Sequence, residues 1–288
     1  MSPRDALAPL ALTVWRLAAR LRTVPKGAVR LVILHDVAPD RVEAFRTLVD
    51  HLGRTCGLIG PREAADRLAG RCDPDGRAPA LLTFDDGFRS NLEATWAVLD
   101  PLGVKALYFI CPGLMDLPLS QQRAAIAAHV HAGKRREADL PPHLALMSWD
   151  EVRQLAASGH AIGCHSLTHD RLAGLDRPEL ERQVGEAKGR MEAMLGASTP
   201  WFAFPFGDLA SIDAPALSVI ARHFPLCRSG IRGLAHNGTS PLALPAESVD
   251  LDATAAWQAL AAEGALAPLY RGRLARLEHL AQPGRTTP

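Results

Sequence analysis

The stretch LLTFDDGFRSN, Leu81 to Asn91, runs from an apolar segment straight into two adjacent carboxylates and a glycine. PALLTF (79–84) reads as a buried strand. Side chains on a strand alternate faces, so inside it Asp85 and Asp86 would point apart. At the strand tip, Gly87 lets the backbone turn, and both acids can then face one cavity. Their other use would be to cap the turn into the next helix.

Outward from this tip the pattern repeats. VRLVILH (29–35), VKALYFI (104–110), HAIGC (160–164) and WFAFPFG (201–207) read as strands, with fainter ones at LCRSG (226–230) and LALPAESV (242–249). Helical stretches lie between them: 41–54, 91–103 ending near Pro101, 148–159 from a Ser cap to Gly159, 176–196 and 212–224. Strands alternating with helices predict a parallel sheet with the helices outside it. Six or seven repeats over residues 29–250 predict an α/β single domain, a distorted (β/α)7-type barrel. Helical segments at 1–28 and 251–288 flank it. Residues 112–147, containing QQRAAIAAHVHAGKRRE between proline-bearing stretches, are expected as a helical insertion over one end of the barrel.

The chain has 288 residues, 48% apolar and 22% charged, an ordinary globular composition. Its net charge of +1 names no partner, and with 5% aromatics and no recognition motif nothing points to nucleic acid. Lys134, Arg135 and Arg136 read as a solvated helix face before they read as a polymer-binding patch. Five scattered cysteines without a CxxC argue against a disulfide framework or zinc finger and favour a reducing compartment. No uncharged apolar run is long enough for a transmembrane helix. Residues 1–30 hold six basic side chains against Asp5. Leu7, Leu10, Val14, Leu17 and Leu21 repeat at three and four, so a helix packed on the domain is expected, with the arginines elsewhere on its surface. A basic amphipathic helix resting on a membrane is the second reading. Pro9, Arg16 and the lack of a cleavage pattern argue against a signal peptide, favouring a cytoplasmic or membrane-associated protein over a secreted one.

Polar clusters follow the C-terminal ends of four strands: His35, the Asp85–Asp86 pair, His165, and Phe206-Gly207. In α/β barrels that end carries the active site, so the four should converge. HSLTHD places His165 and His169 four apart, which on a helical turn share a face. Two histidines and one carboxylate leave open positions on a metal ion for water and substrate. One acid of the pair would bind the cation. The other, kept ionised by that charge, would take a proton from water.

These residues resemble the polysaccharide deacetylases, the NodB-homology domain of carbohydrate esterase family 4. TFDDG (83–87) is similar to that family's first motif, HSLTH (165–169) to its second and FAFPFG (202–207) to its third. The resemblance implies that Asp86, His165 and His169 bind one divalent cation, zinc by default, and that Asp85 is the general base. It implies that Ser166 steadies its loop, that the Phe206 N–H helps form an oxyanion hole, and that Pro205 and Gly207 shape that turn. Two departures stand out. Ala203 occupies the position where the family often has an arginine bracing the base, so the brace is missing or comes from another group. The C-terminal L-x-H motif is also absent, but VILHDV (32–37) resembles it moved to the front, as in a bacterial branch that includes poly-N-acetylglucosamine deacetylases. His35 is then the expected general acid. The remaining histidines, His131 and His143 among them, are expected to be structural or exposed.

The implied activity is metal-dependent removal of N-acetyl groups from a glycan. Hydrolysis of another amide or an ester, or an inactive glycan-binding barrel, are the alternatives. Oligomeric state has no signature in the sequence.

Overall fold

The computed structural model describes residues 3–72 and 76–282, with side chains from Leu7 onward at the N-terminus. The last residues of the expected C-terminal tail, Arg285 included, lie outside the described residues. Seven short strands carry the architecture: β1 (Arg30–Leu34), β2 (Ala80–Phe84), β3 (Leu107–Ile110), β4 (Ala161–Cys164), β5 (Trp201–Ala203), β6 (Leu226–Arg228) and β7 (Glu247–Ser248). They form one parallel sheet in the order β6-β5-β4-β3-β2-β1-β7. The sheet curls into the distorted barrel that the sequence predicts.

Parallel sheets are covered on both faces, so their strands read as continuous apolar runs. Leu31, Ile33, Leu81, Phe109 and Trp201 fill the barrel interior. Val32, Leu34, Leu82, Phe84 and Tyr108 alternate with them and face the surrounding helices. The edge strands β6 and β7 do not pair with each other. The returning chain seals the seam instead: Ser229 N–H donates to Leu244 O (2.8 Å), Leu244 N–H to Cys227 O (3.0 Å) and Ala246 N–H to Ile231 O (2.9 Å). The strand expected at 242–249 is thus a seam followed by a two-residue β7.

Twelve α-helices among the described residues surround the sheet. First comes α1 (Pro3–Ala19), then α2 (Val42–Thr55), α3 (Pro61–Leu68), α4 (Arg89–Ala94, with its turns continuing to Leu102), α5 (Pro112–Met115) and α6 (Leu119–Ala125). After these come α7 (Trp149–Ala157), α8 (Arg177–Glu181), α9 (Ala187–Leu195), α10 (Ala214–His223), α11 (Ala255–Ala262) and α12 (Arg271–Leu280). The Ser148 cap of α7 is a full capping box with Glu151. The sequence reading missed α3, where Pro61 opens the first turn and Ala64 and Leu68 are buried on one face.

Two expectations need correction or refinement here. Leu7, Leu10, Val14, Leu17 and Leu21 do not pack α1 onto the domain; all five are exposed. The helix docks through Ala8, Leu12 and Trp15 onto Ala259 and Leu260 of α11. Alanines on both sides let the two helices approach closely, which a leucine row would prevent. In the 112–147 segment, Val130, His131, Arg135, His143 and Leu144 line a pocket at the strand tips. The segment's loop is pinned by one guanidinium: Arg123 donates to Pro141 O (3.1 Å), Leu144 O (3.2 Å), Leu140 O (3.0 Å) and Glu137 O (3.3 Å).

Candidate active site

By strand alternation Asp85 follows Thr83 into the barrel, and Asp86 should turn outward with Phe84. It does not, because Asp86 and Gly87 both adopt left-handed backbone, with φ of 71° and 76°. Two successive positive φ values swing Asp86 back beside Asp85. A side chain at Gly87 would also press on Ile110, 3.1 Å away.

HSLTH is not a helical turn, contrary to the sequence reading. Residues 165–169 form an irregular loop in which Ser166 (φ 64°) and His169 (φ 62°) are left-handed. Ser166 Oγ accepts from His169 N–H at 3.0 Å, and Gln183 Oε1 accepts from Leu167 and Thr168 N–H at 3.2 Å each. These bonds fold the loop so that both imidazoles meet Asp86. His165 Nδ1 lies 2.7 Å from Ala203 O, and His169 Nδ1 lies 3.3 Å from His129 O. Each ring can therefore carry its proton on Nδ1, leaving the Nε2 lone pair aimed at the acids.

His169 Nε2 is 3.2 Å and His165 Nε2 3.7 Å from Asp86 Oδ1. Burial pushes His165 down to about 4, against the pull of Asp85, so its ring is neutral and free to ligate. Burial would raise Asp86, yet the rings of His169, His35 and His165 outweigh it and hold the acid well below the usual carboxylate range. Burial would lower His169, and Asp86 raises it above its ordinary value. Asp86, His165 and His169 each offer a ligand atom within 4.8 Å of the others. Asp86 Oδ1 is buried with no hydrogen-bond partner among the described residues. Two neutral-capable imidazoles, a low-pKa carboxylate and an orphaned oxygen among them fit a divalent cation.

Asp85 has a partner that the sequence did not reveal. Arg228, 2% exposed, places Nη2 2.6 Å from both Asp85 oxygens. Its guanidinium lies over the Phe109 ring, 4.8 Å from the centroid. In the β5–β6 ladder Arg228 is the direct partner of Ala203. The arginine expected at 203 is thus one strand over, at the same height in the barrel. The signal was present in LCRSG, where Arg228 follows a strand, but only the register connects it to Asp85.

Phe206 is also left-handed (φ 63°), and its N–H makes no hydrogen bond among the described residues. Its ring packs edge-on against His169 (4.7 Å) and under Arg171 (4.3 Å). Pro205 precedes it in the turn, and Gly207 (φ 66°) sits so close to Gly230 that a Cβ would be 2.4 Å from Gly230 N. Of the five non-glycine residues with positive φ among those described, four are Asp86, Ser166, His169 and Phe206. Left-handed backbone in such residues costs energy and gathers at functional sites.

Asp85, Asp86, His165, His169, Phe206 and Arg228 line one pocket of about 760 Å³, and His35, exposed at the tip of β1, lines it too. His131 and His143 also line it. His143 Nε2 lies 2.8 Å from Asp36 Oδ2, whose other oxygen accepts from Ser90 Oγ at 2.6 Å. This ties the inserted loop to the residue beside His35. Burial and Arg135 lower the pKa of His131.

Two acids, two imidazoles and an arginine thus meet at the strand tips of one parallel barrel, and comparison with known proteins supplies the family. The family model described as polysaccharide deacetylase matches residues 73–223, and the chain belongs to that family. The match includes both acids and the HSLTH loop and excludes His35 and Arg228. Among curated relatives, the peptidoglycan-N-acetylglucosamine deacetylase of Bacillus cereus is 25% identical over 139 residues, 47% of this chain and 39% of that protein. YxkH of Bacillus subtilis is 24% identical over 149 residues, 52% of this chain and 44% of that one. The alignments thus span less than half of either relative. Among solved structures, IcaB from Ammonifex degensii superposes with a TM-score of 0.62 at 23% identity, covering 82% of this chain and 98% of that one. The BpsB deacetylase domain from Bordetella bronchiseptica gives 0.61 at 19%, covering 80% and 98%. At these identities the structural matches support the fold.

Proposed function

We propose that the protein hydrolyses N-acetyl groups on an N-acetylhexosamine-containing polysaccharide or oligosaccharide, using one divalent metal ion. The observation that carries this reading is the buried Arg228–Asp85 pair placed beside the Asp86–His165–His169 cluster in one open pocket. Asp86, His165 and His169 would hold the cation, and the two-imidazole, one-carboxylate set suits zinc. When bound, such an ion supplies Lewis acidity toward the acyl oxygen and makes water more acidic.

The chain's own groups then divide the work. Asp85 takes the proton of the attacking water, with its carboxylate oriented by Arg228. Phe206 offers its unshared N–H to the charge that builds on the acyl oxygen. His35, at the pocket wall, gives a proton to the departing amine, which leaves poorly without one. Ser166, Pro205 and Gly207 hold the loops that present these groups. The intact base–arginine pair argues against an inactive binding barrel.

The test couples metal analysis with acetate release from N-acetylated oligosaccharides. Wild type is expected to bind about one divalent ion per chain. Asp85→Asn should keep the metal and lose about 10²–10⁴-fold in kcat. Full activity in Asp85→Asn, or in metal-stripped protein, would refute the assignment.

A further inference from the structure

The catalytic reading leaves α1 unexplained. Leu7, Leu10, Val14 and Leu17 are 57–65% exposed and Leu21 is 90% exposed. By the 3.6-residue repeat the first four of these side chains share an arc of about 80°, and Leu21 follows just past the helix end. Ala8, Leu12 and Trp15, on the far side of the helix, hold it to α11. Arg16 adds an anchor to Glu263, with Nη2 2.5 Å from Oε1. The helix is thus fixed along one side and presents a ready-made aliphatic ridge along the other. Val24, 37% exposed, follows the ridge beyond the helix end. Contiguous exposed apolar surface of this kind marks an interaction site, whereas scattered exposed leucines do not.

We propose that α1 seats the protein on an anionic lipid bilayer, ridge inward. Charge complementarity chooses this occupant. Residues 1–30 hold six basic side chains and one acid. Arg20 and Lys26 are exposed and make no ion pair among the described residues. Arg22 lies over Trp15, 4.5 Å from its ring, and lines the same cavity as Arg271 of α12. A cationic fringe beside an apolar ridge matches lipid phosphates above acyl chains. A second copy docked ridge to ridge would bring like charges, Arg20 and Lys26 among them, together. No helix among the described residues is long and apolar enough to cross a membrane, so α1 lies in the interface.

The experiment is cosedimentation of the full chain with two sets of vesicles, phosphatidylcholine alone and phosphatidylcholine mixed with phosphatidylglycerol, at low and high salt. Size-exclusion chromatography without lipid accompanies it. Wild type is expected to bind the mixed vesicles about tenfold or more tighter than the neutral ones, and to release from them as salt rises. Leu10→Glu/Leu17→Glu should lose binding to both vesicle types. Arg20→Glu/Lys26→Glu should lose the preference for anionic lipid. Unchanged thermal melting in both variants shows that the barrel is intact. Wild type failing to bind, variants binding as well as wild type, or a wild-type dimer that Leu10→Glu/Leu17→Glu turns into a monomer would each overturn the proposal. None of these readouts depends on deacetylase activity, so the two readings fail independently.

Discussion

Replacing Arg228 with methionine tests the least expected part of the site. The side chain is almost wholly buried, and its loss leaves Asp85, 4% exposed, without the cation 2.6 Å from both its oxygens. Removing one partner of a buried pair costs about 3–5 kcal/mol. Two features place Arg228→Met at the lower end. Arg228 Nε is buried without a partner, so the native guanidinium is not fully satisfied. Asp85 also borders the open pocket, where water can reach it once the arginine is gone. About 3 kcal/mol in a domain of this size lowers the melting temperature by about 6–12 °C. Methionine retains contact with Phe109, so packing alone contributes little of this. Kinetically the base remains but is no longer aimed, so kcat should fall by about 100-fold with KM nearly unchanged. Calorimetry and acetate release under saturating substrate measure both effects. The double variant Asp85→Asn/Arg228→Met should recover about 0.5–3 kcal/mol relative to the sum of the singles. A melting shift below about 3 °C in Arg228→Met, or strictly additive single variants, would refute the coupling.

Other outcomes follow from the same geometry. Gly207→Ala sets a Cβ 2.4 Å from Gly230 N at a φ of 66°, so it should cost about 1–3 kcal/mol and displace the Phe206 N–H, read as a lowered melting temperature and a reduced kcat. Arg123→Ala removes the guanidinium that holds four carbonyls of the 137–144 loop, and should raise KM several-fold with a smaller change in kcat, read from steady-state kinetics. Glu263 is raised by burial, but its bonds to His51 and Arg16 prevail and its pKa is lowered. Its stabilising contribution is therefore full above the unfolded value of about 4.3 and is lost as pH falls through the lower folded value. Glu263→Gln should melt below wild type at pH 7 and show a flatter melting profile between about pH 5 and 3.

The fold was legible because each strand is a short apolar run ending in polar chemistry, and each long helix carries its own start and stop. TFDDG and HSLTH were legible because their ligands lie close in sequence. Arg228 was not, since its role depends on the lateral register that sets it beside Ala203, and no local pattern encodes that pairing. His131 and His143 were hidden because the 112–147 segment has no strand to place its side chains. On α1 the periodicity gave the helix but named the wrong buried face. Both faces are apolar, and it is the face with Ala8, Leu12 and Trp15 that packs against Ala259 and Leu260 of α11. The HSLTH loop was misread as a helical turn because spacing alone cannot register two left-handed residues.

Asp86, Ser166, His169 and Phe206 all hold backbone angles that glycine would adopt more cheaply. Selection for heat resistance alone would therefore drift toward glycine at these four positions and erase the pocket while improving the protein. Libraries ranked by melting temperature and libraries ranked by turnover should diverge there before anywhere else in the chain.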